Sequence, residues 1–121
     1  MGIVITLKGD LGSGKTTFAQ GIGEALNISQ RVNSPTFLVI KQYEISGSDV
    51  LKKLYHIDLY RLQSEKEIEE IGVKELLSDN EALCVIEWPE RMGSLLPKKR
   101  LEVTFEYIDE ITRKINIEKY E

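Results

Sequence analysis

The feature that most constrains the fold of this chain is a glycine-rich stretch near its start, Gly9-Asp10-Leu11-Gly12-Ser13-Gly14-Lys15-Thr16. The stretch fits the phosphate-binding pattern of Gly, any four residues, Gly, Lys and then Ser or Thr. Its glycines leave room for backbone N–H groups to turn inward around a phosphate. Lys15 brings a positive charge that can reach the β- and γ-phosphates, and the Thr16 hydroxyl can bind Mg²⁺. The pattern therefore predicts a site for a nucleoside triphosphate with magnesium.

The residues on both sides of this stretch have the order that a phosphate-binding loop requires. Residues 3–7 are apolar and mostly β-branched, as in a strand that is buried on both faces. After the loop, one apolar stripe recurs at helical spacing: Phe18, Ile22, Ala25 and Leu26. A strand, a glycine loop and a helix thus follow one another. This agreement disfavours the alternative, a glycine-rich turn that binds no ligand.

The rest of the chain predicts the other elements of an α/β domain. They are a hairpin of strands at 37–45 and 51–60, helices at 64–71 and 73–77, an apolar central strand at 82–86, and an antiparallel pair at 101–107 and 114–117. Ser64 and Glu67 form a capping box at the start of the first of these helices. We predict a single domain over residues 1–121 with a three-layer, P-loop NTPase-like α/β fold. Its mixed sheet has parallel central strands and antiparallel additions.

Charge and cysteine content narrow the classes of function. The net charge of −4 argues against a direct grip on nucleic acid, because phosphate neutralisation needs a basic surface. An acidic protein can still act on RNA through a basic partner. The single cysteine, Cys84, cannot form an internal disulfide, which favours a reducing cytoplasm. No apolar run approaches the roughly 20 residues of a membrane helix, so we expect no membrane segment.

Two carboxylates are candidates for holding the magnesium ion. Mg²⁺ prefers oxygen ligands and usually takes only one or two protein carboxylates. The acid that accompanies a phosphate loop ends an apolar strand beside it, and Glu87 fits best because it directly follows the run at 82–86. Asp58 also ends a strand and is the second candidate. Asp10, inside the loop, is interpreted as part of the loop geometry.

Four other residues leave a functional and a structural interpretation open. Thr36, on the rigid turn after Pro35, either senses the γ-phosphate or positions water, or it belongs to a simple turn. His56 is the only histidine, and a lone histidine on a strand is more often a hydrogen-bonded structural residue. Trp88 is either a core anchor or an aromatic that docks a partner. Cys84 is expected to be a buried, inert thiol.

The phosphate loop indicates triphosphate binding without identifying the reaction. GTP is unsupported, because the chain has no Asn-Lys-x-Asp element to read guanine. A small-molecule kinase usually brings several arginines to a lid over the transferred phosphate, whereas the arginines here are scattered. A slow ATPase that works with a partner is the more economical interpretation. A non-hydrolytic, ATP-sensing adaptor is the second hypothesis, and a small-molecule kinase is the third.

Four sequence blocks resemble those of the TsaE (YjeE) family, the ATPases of bacterial tRNA threonylcarbamoyladenosine synthesis. The blocks are residues 9–17, Ser34-Pro35-Thr36-Phe37, His56-Ile57-Asp58-Leu59-Tyr60-Arg61 and Glu87-Trp88-Pro89-Glu90. The first block is common to many ATPases, whereas the other three in this order are close to diagnostic. The resemblance implies a cytoplasmic Mg-ATPase that acts with two partner subunits, TsaB and TsaD. Together they place a threonylcarbamoyl group on the adenosine next to the anticodon (t6A) of tRNAs that read ANN codons, so tRNA is reached indirectly.

The resemblance also implies roles for single residues. The positions carried over are Lys15 for the phosphates, Thr16 and Glu87 for Mg²⁺, Thr17 on the α-phosphate side, and Thr36 and Asp58 in the switch-like and second acidic motifs. A basic residue on the last strand approaches the nucleotide in relatives. Arg113 is the nearest match here, although the turn before it needs a gap of one residue.

One difference from the family concerns the start of the chain. Relatives carry an additional segment before the first strand that helps to shelter the adenine, whereas Met1 nearly opens that strand here. A truncated chain, a misassigned start and a loosely held base are all consistent with this difference. We therefore expect one sheet edge to be less covered and the nucleotide base to be weakly discriminated.

Overall fold

The computed structural model describes residues 2–10, 12–28, 32, 39–46 and 48–121. In chain order its elements are β1 (Ile3–Lys8), α1 (Lys15–Ala25), β2 (Ile40–Glu44), β3 (Lys53–Asp58), α2 (Glu65–Glu70), α3 (Val73–Leu77), β4 (Ala82–Glu87), a 3-10 segment (Pro89–Leu95), β5 (Arg100–Asp109) and β6 (Thr112–Tyr120). The six strands of these residues form one sheet in the order β2-β3-β4-β1-β5-β6. The predicted mixed α/β fold is confirmed. None of the described helices is long and apolar enough to cross a membrane.

The centre of the sheet is parallel and its two outer strands are antiparallel additions. Strands β3, β4, β1 and β5 run parallel, whereas β2 pairs antiparallel with β3 and β6 antiparallel with β5. Both predicted hairpins are therefore confirmed. One detail differs from the expectation that both of the last two strands are antiparallel additions, because β5 lies parallel to β1. The chain between β4 and β5 returns to the end of the sheet at which the parallel strands begin, as a parallel connection requires.

Helices cover both faces of the sheet, which gives the predicted three layers. On one face, Ala19 of α1 belongs to a core with Leu7 and Val85. On the other face, Ile68 of α2 and Leu77 of α3 belong to a second core. Strand β4 lies between them and is buried at every position, which explains its unbroken apolar run. The sheet is thus packed between two hydrophobic cores, one on each face.

Local sequence signals explain several element boundaries. Ser64 Oγ accepts a hydrogen bond from the Glu67 backbone N–H at 3.2 Å, as the capping box predicts. Gly72, with a φ of 86°, separates α2 from α3 at the predicted interruption. Strands β2 and β3 are shorter than the predicted spans of 37–45 and 51–60, and residues 37 and 38 lie outside the described part of the chain.

Candidate functional site

The glycine-rich loop joins β1 to α1 at the carboxyl end of the parallel strands. Gly9 is so tightly surrounded that a Cβ there would stand 2.7 Å from Ser13 Oγ and 3.0 Å from Phe105 Cβ. Gly14, directly before α1, has a φ of 108°, which L side chains rarely adopt. No acidic side chain lies in the first turn of α1. The positive end of this helix is therefore available to an external anion.

Lys15 is the clearest indication that the loop accepts an anion. The residue is 5% exposed, and its Nζ is buried with no hydrogen-bond partner among the described residues. The ammonium lies 3.9 Å from the centroid of the Trp88 ring, in a cation–π contact. Burial lowers the pKa of Lys15, against the opposing attraction of the Glu87 and Asp58 carboxylates. A buried cation with unfilled donors suits phosphate oxygens, so the loop fits a triphosphate.

Glu87 and Asp58 lie beside Lys15 because neighbouring parallel strands end together. The register of β3 and β4 sets Asp58 opposite Glu87, and β1, which leads into the loop, pairs with β4 on its other side. Ligands of open α/β sheets bind at this carboxyl end. Both carboxylates line a pocket of about 270 Å³ together with Lys15 and Thr16. The structure thus brings the three predicted magnesium ligands, Thr16, Asp58 and Glu87, to one pocket.

The chemistry of these donors suits magnesium. In the part of the chain that is described, no group of three or more His, Cys, Asp or Glu side chains is arranged to hold a metal. Mg²⁺ does not need such a cage, because it keeps several waters and takes substrate phosphates as ligands. One hydroxyl and two carboxylates next to a phosphate loop therefore fit the ion.

The prediction that His56 is a hydrogen-bonded structural residue is confirmed, because it bonds to Glu87 and does not itself line the pocket. It is fully buried, and its Nε2 is 2.6 Å from Oε2 of Glu87, which is 3% exposed. The ring nitrogen donates this hydrogen bond when the carboxylate is ionised, since an ionised carboxylate only accepts. The bond fixes one oxygen of Glu87 and leaves Oε1 for another ligand. Strand alternation puts His56 on the same face as Asp58, and the β3–β4 register then makes it a diagonal neighbour of Glu87.

Asp58 is held at the end of its strand by the turn that follows. Its Oδ1 accepts a hydrogen bond from the backbone N–H of Tyr60 at 3.0 Å. Burial raises the pKa of Asp58, and the neighbouring Glu87 carboxylate raises it further, while the Tyr60 hydrogen bond opposes the shift. Burial and the Glu87 carboxylate thus act against the charged form of Asp58, while the Lys15 ammonium favours it.

Trp88 and Tyr60 form an aromatic wall of the same pocket, which sequence reasoning did not place there. Trp88 has a left-handed backbone with a φ of 60°, a conformation that is rare for a bulky side chain and recurs at functional sites. The two ring centroids are 5.0 Å apart. Trp88 follows Glu87 directly, so its place beside this predicted magnesium ligand is readable from the sequence. The backbone turn that presents its indole to Lys15 is not.

Arg113, the predicted nucleotide contact on the last strand, lies beside a second recess that shares Gly12, Gly14 and Thr17 with the Lys15 pocket. Nη2 of Arg113 donates to the carbonyl oxygen of Gly12 at 3.4 Å, so the last strand does approach the loop. The recess, of about 460 Å³, opens there. Its lining residues include Ser13, Gly14, Thr17, Phe18, Phe105 and Arg113 and, from the turn of the last hairpin, Glu110 and Ile111. Thr36 lies outside the described residues, and its role stays a prediction.

Known proteins similar to this chain point to one family. The family model described as threonylcarbamoyl adenosine biosynthesis protein TsaE matches residues 1–115. The chain belongs to the TsaE family. Over 114 residues it is 40% identical to the TsaE protein of Bacillus subtilis, an alignment that covers 94% of this chain and 68% of that protein. The TsaE protein of Haemophilus influenzae is 36% identical over 108 residues, with 89% and 65% covered.

A solved structure extends the TsaE comparison to three dimensions. The crystal structure of Bacillus subtilis YdiB matches with a TM-score of 0.78 and 32% sequence identity, covering 99% of this chain and 70% of that one. The chain spans about two thirds of the length of the two curated TsaE relatives. The family resemblance predicted from the four sequence blocks is therefore confirmed.

Trp88 is expected to report nucleotide binding by this TsaE-family chain. It is the only tryptophan, and Lys15 Nζ lies 3.9 Å from its ring centroid. Phosphate oxygens compete for that ammonium, so ATP with magnesium should move it off the ring and change the indole emission. A fluorescence titration measures the change, and Lys15→Met is the control that should give none. Constant wild-type emission, while calorimetry detects binding, would contradict the prediction.

Removing the His56 hydrogen bond is expected to destabilise the folded TsaE-family chain. His56→Phe keeps an aromatic ring but leaves the buried Glu87 carboxylate without this donor. The free energy of unfolding should fall by about 2–3 kcal/mol, because an unsatisfied buried charged group is costly. Urea denaturation measures the loss. The double variant His56→Phe/Glu87→Met removes both partners and should recover part of the lost free energy of unfolding. If it recovers none, the loss comes from the different shape of the ring and not from the missing hydrogen bond.

Proposed function

We propose that this chain is a Mg-dependent ATPase that works with TsaB and TsaD in the threonylcarbamoyladenosine modification of tRNAs reading ANN codons. The observation that carries the ATPase part is the buried Lys15 ammonium, which lacks a hydrogen-bond partner among the described residues and faces the pocket of Glu87 and Asp58. Membership of the TsaE family supports the role in tRNA modification. The relatives from Bacillus subtilis and Haemophilus influenzae are named as proteins of tRNA threonylcarbamoyladenosine biosynthesis.

The residues of the pocket divide the work of binding and reaction. Lys15 and the backbone amides of the loop bind the phosphates, and Thr17 serves the α-phosphate side. Thr16 and Glu87 hold Mg²⁺, with Asp58 as the second acid. The bound ion supplies charge neutralisation of the phosphates. His56 keeps Glu87 in place, and Trp88 and Tyr60 form one wall of the pocket.

The nucleoside end of ATP is assigned to the second recess. Phe18 and Phe105 line it and meet edge to face, with ring centroids 5.5 Å apart, so they offer apolar surface to a base. Arg113 adds a cation at the edge of the recess. Apolar walls recognise the shape of a base more than its hydrogen-bonding edge. This agrees with the expectation of weak discrimination among nucleotide bases.

Reconstitution of tRNA modification tests the proposal. TsaB, TsaD and the other components are incubated with tRNA, ATP and a threonylcarbamoyl donor, with and without this chain. We expect multiple rounds of modification only when the chain and hydrolysable ATP are both present. Equal turnover without the chain would exclude the proposed role. If many rounds of tRNA modification still occur when ATP is replaced by a non-hydrolysable analogue, the chain is instead an ATP-sensing adaptor.

A further inference from the structure

The β5–β6 hairpin continues past the end of the strand that supports it. The last pair between β1 and β5 is Lys8 with Thr104, whereas β5 runs on to Asp109 before the chain turns into β6. Residues 105–112 therefore form an overhang whose two strands pair with each other beside the phosphate loop.

The overhang exposes large apolar side chains. Tyr107 is 57%, Ile108 50% and Ile111 95% exposed. In the described part of the chain, five of the nine exposed large apolar residues lie between 107 and 117, so they concentrate on this hairpin. Ile111 stands in the turn itself, where short polar residues and glycine are favoured. Apolar groups gathered on one projection are typical of a contact surface.

The charge of the overhang restricts what can cover these side chains. Glu106, Asp109 and Glu110 are all exposed carboxylates. Two cations follow. Arg113 donates through Nη1 to the backbone oxygens of Asp109 and Thr112 at 2.6 and 3.1 Å, and exposed Lys114 lies opposite Glu106, so the end of the hairpin keeps an excess of negative charge. A second copy would bring like charges together on a chain whose net charge is already −4. Nucleic acid and anionic lipid are repelled for the same reason. The complementary surface is a protein with basic side chains around an apolar recess.

The overhang is also connected to the phosphate loop. Phe105 packs against Gly9, where an added Cβ would stand 3.0 Å from Phe105 Cβ. Directly after the overhang, Arg113 donates to the carbonyl oxygen of Gly12 at 3.4 Å and lies 4.5 Å from the centre of the Tyr107 ring. Binding of a partner to the overhang can therefore affect the backbone of the phosphate loop through these two contacts.

We propose that the overhang is a docking surface for a partner protein that presents lysine or arginine side chains around an apolar recess. Its engagement holds the phosphate loop through Phe105 and Arg113. The inference rests on the proposed function in one respect, since it takes the TsaB–TsaD complex as the partner to test.

The experiment measures binding of this chain to purified TsaB–TsaD in the presence of ATP and magnesium. Ile108→Lys places a cation where the partner is basic, and the affinity of this variant for TsaB–TsaD should fall about tenfold or more. Val50→Lys is the matched control, because Val50 is an apolar residue 71% exposed on a loop away from the overhang. Ile108→Ser, which removes the apolar side chain without adding a charge, serves if Ile108→Lys does not fold. Glu106→Gln should weaken the salt dependence of binding, since it removes one exposed charge outside the recess.

Each outcome decides between the inference and its alternatives. Selective loss of partner affinity in the overhang variants, with folding and ATP binding by Ile108→Lys retained, supports the docking surface. Partner binding as tight as that of wild type in both apolar variants overturns it and leaves the proposed function intact. Absence of binding by wild type overturns both. Dimerisation of the wild-type chain that Ile108→Lys abolishes would identify a second copy as the occupant and also overturn the inference.

Discussion

Replacing Lys15 with methionine is expected to weaken the binding of ATP with magnesium by roughly 30-fold to several thousand-fold, the range for losing one partner of a buried charge contact. Methionine keeps the unbranched stem and can still contact the Trp88 ring, so the change removes mainly the charge. Isothermal calorimetry measures the affinity. Lys53→Met is the matched control, because Lys53 forms a surface ion pair with Asp79 and does not line the pocket. Unaltered affinity in Lys15→Met would remove Lys15 from the site.

The same variant is expected to have an equal or higher melting temperature than wild type. Burial lowers the pKa of Lys15, so the folded chain holds this charge at a cost while the unfolded chain does not. The wild type regains that stability as pH rises from the depressed pKa towards the ordinary value of 10.5. The stability gap between variant and wild type should therefore narrow over that interval. A variant clearly less stable at neutral pH would show that Lys15 mainly supports the fold.

The parts of the site that depend on local chemistry were predictable from the sequence. Gly9 is required because neighbouring atoms leave no room for a Cβ, and Gly14 because its φ is 108°. The spacing of these glycines in the sequence therefore predicts the loop. Glu87 follows an unbroken apolar run, and such runs form central parallel strands whose ends meet at the ligand side. Asp58 was predicted from its strand end for the same reason.

The parts that depend on register and backbone strain were not predictable. The contact of His56 with Glu87 requires the pairing of β3 with β4, which brings residues 31 positions apart to 2.6 Å. The indole of Trp88 meets Lys15 only because Trp88 has a left-handed backbone, which no residue preference favours for tryptophan. The overhang was underestimated because alternation was read over 101–107 and 114–117, whereas strand pairing continues through the exposed residues between them.

Replacing Glu87 with glutamine is expected to lower the rate of ATP hydrolysis by about 100- to 1,000-fold, the usual effect of losing one preorganised electrostatic contact. Glutamine has the same size and its amide oxygen can still accept the His56 hydrogen bond, so the fold should persist. The lost carboxylate charge weakens the hold on Mg²⁺. Release of phosphate under single-turnover conditions measures the rate, and urea denaturation checks the fold. Equal hydrolysis by variant and wild type would exclude Glu87 from the reaction.

The dependence of ATP affinity on magnesium shows whether Glu87 is a metal ligand or only a structural carboxylate. With magnesium, Glu87→Gln should bind ATP more weakly than wild type; without it, the variant should bind equally or better, because one negative charge near the phosphates is gone. Glu102→Gln is the matched control, since Glu102 is 9% exposed and pairs with Arg100 but lines neither the pocket nor the recess. A merely structural Glu87 would change both affinities in the same direction. Opposite shifts with and without the metal require that the carboxylate itself meets the ion.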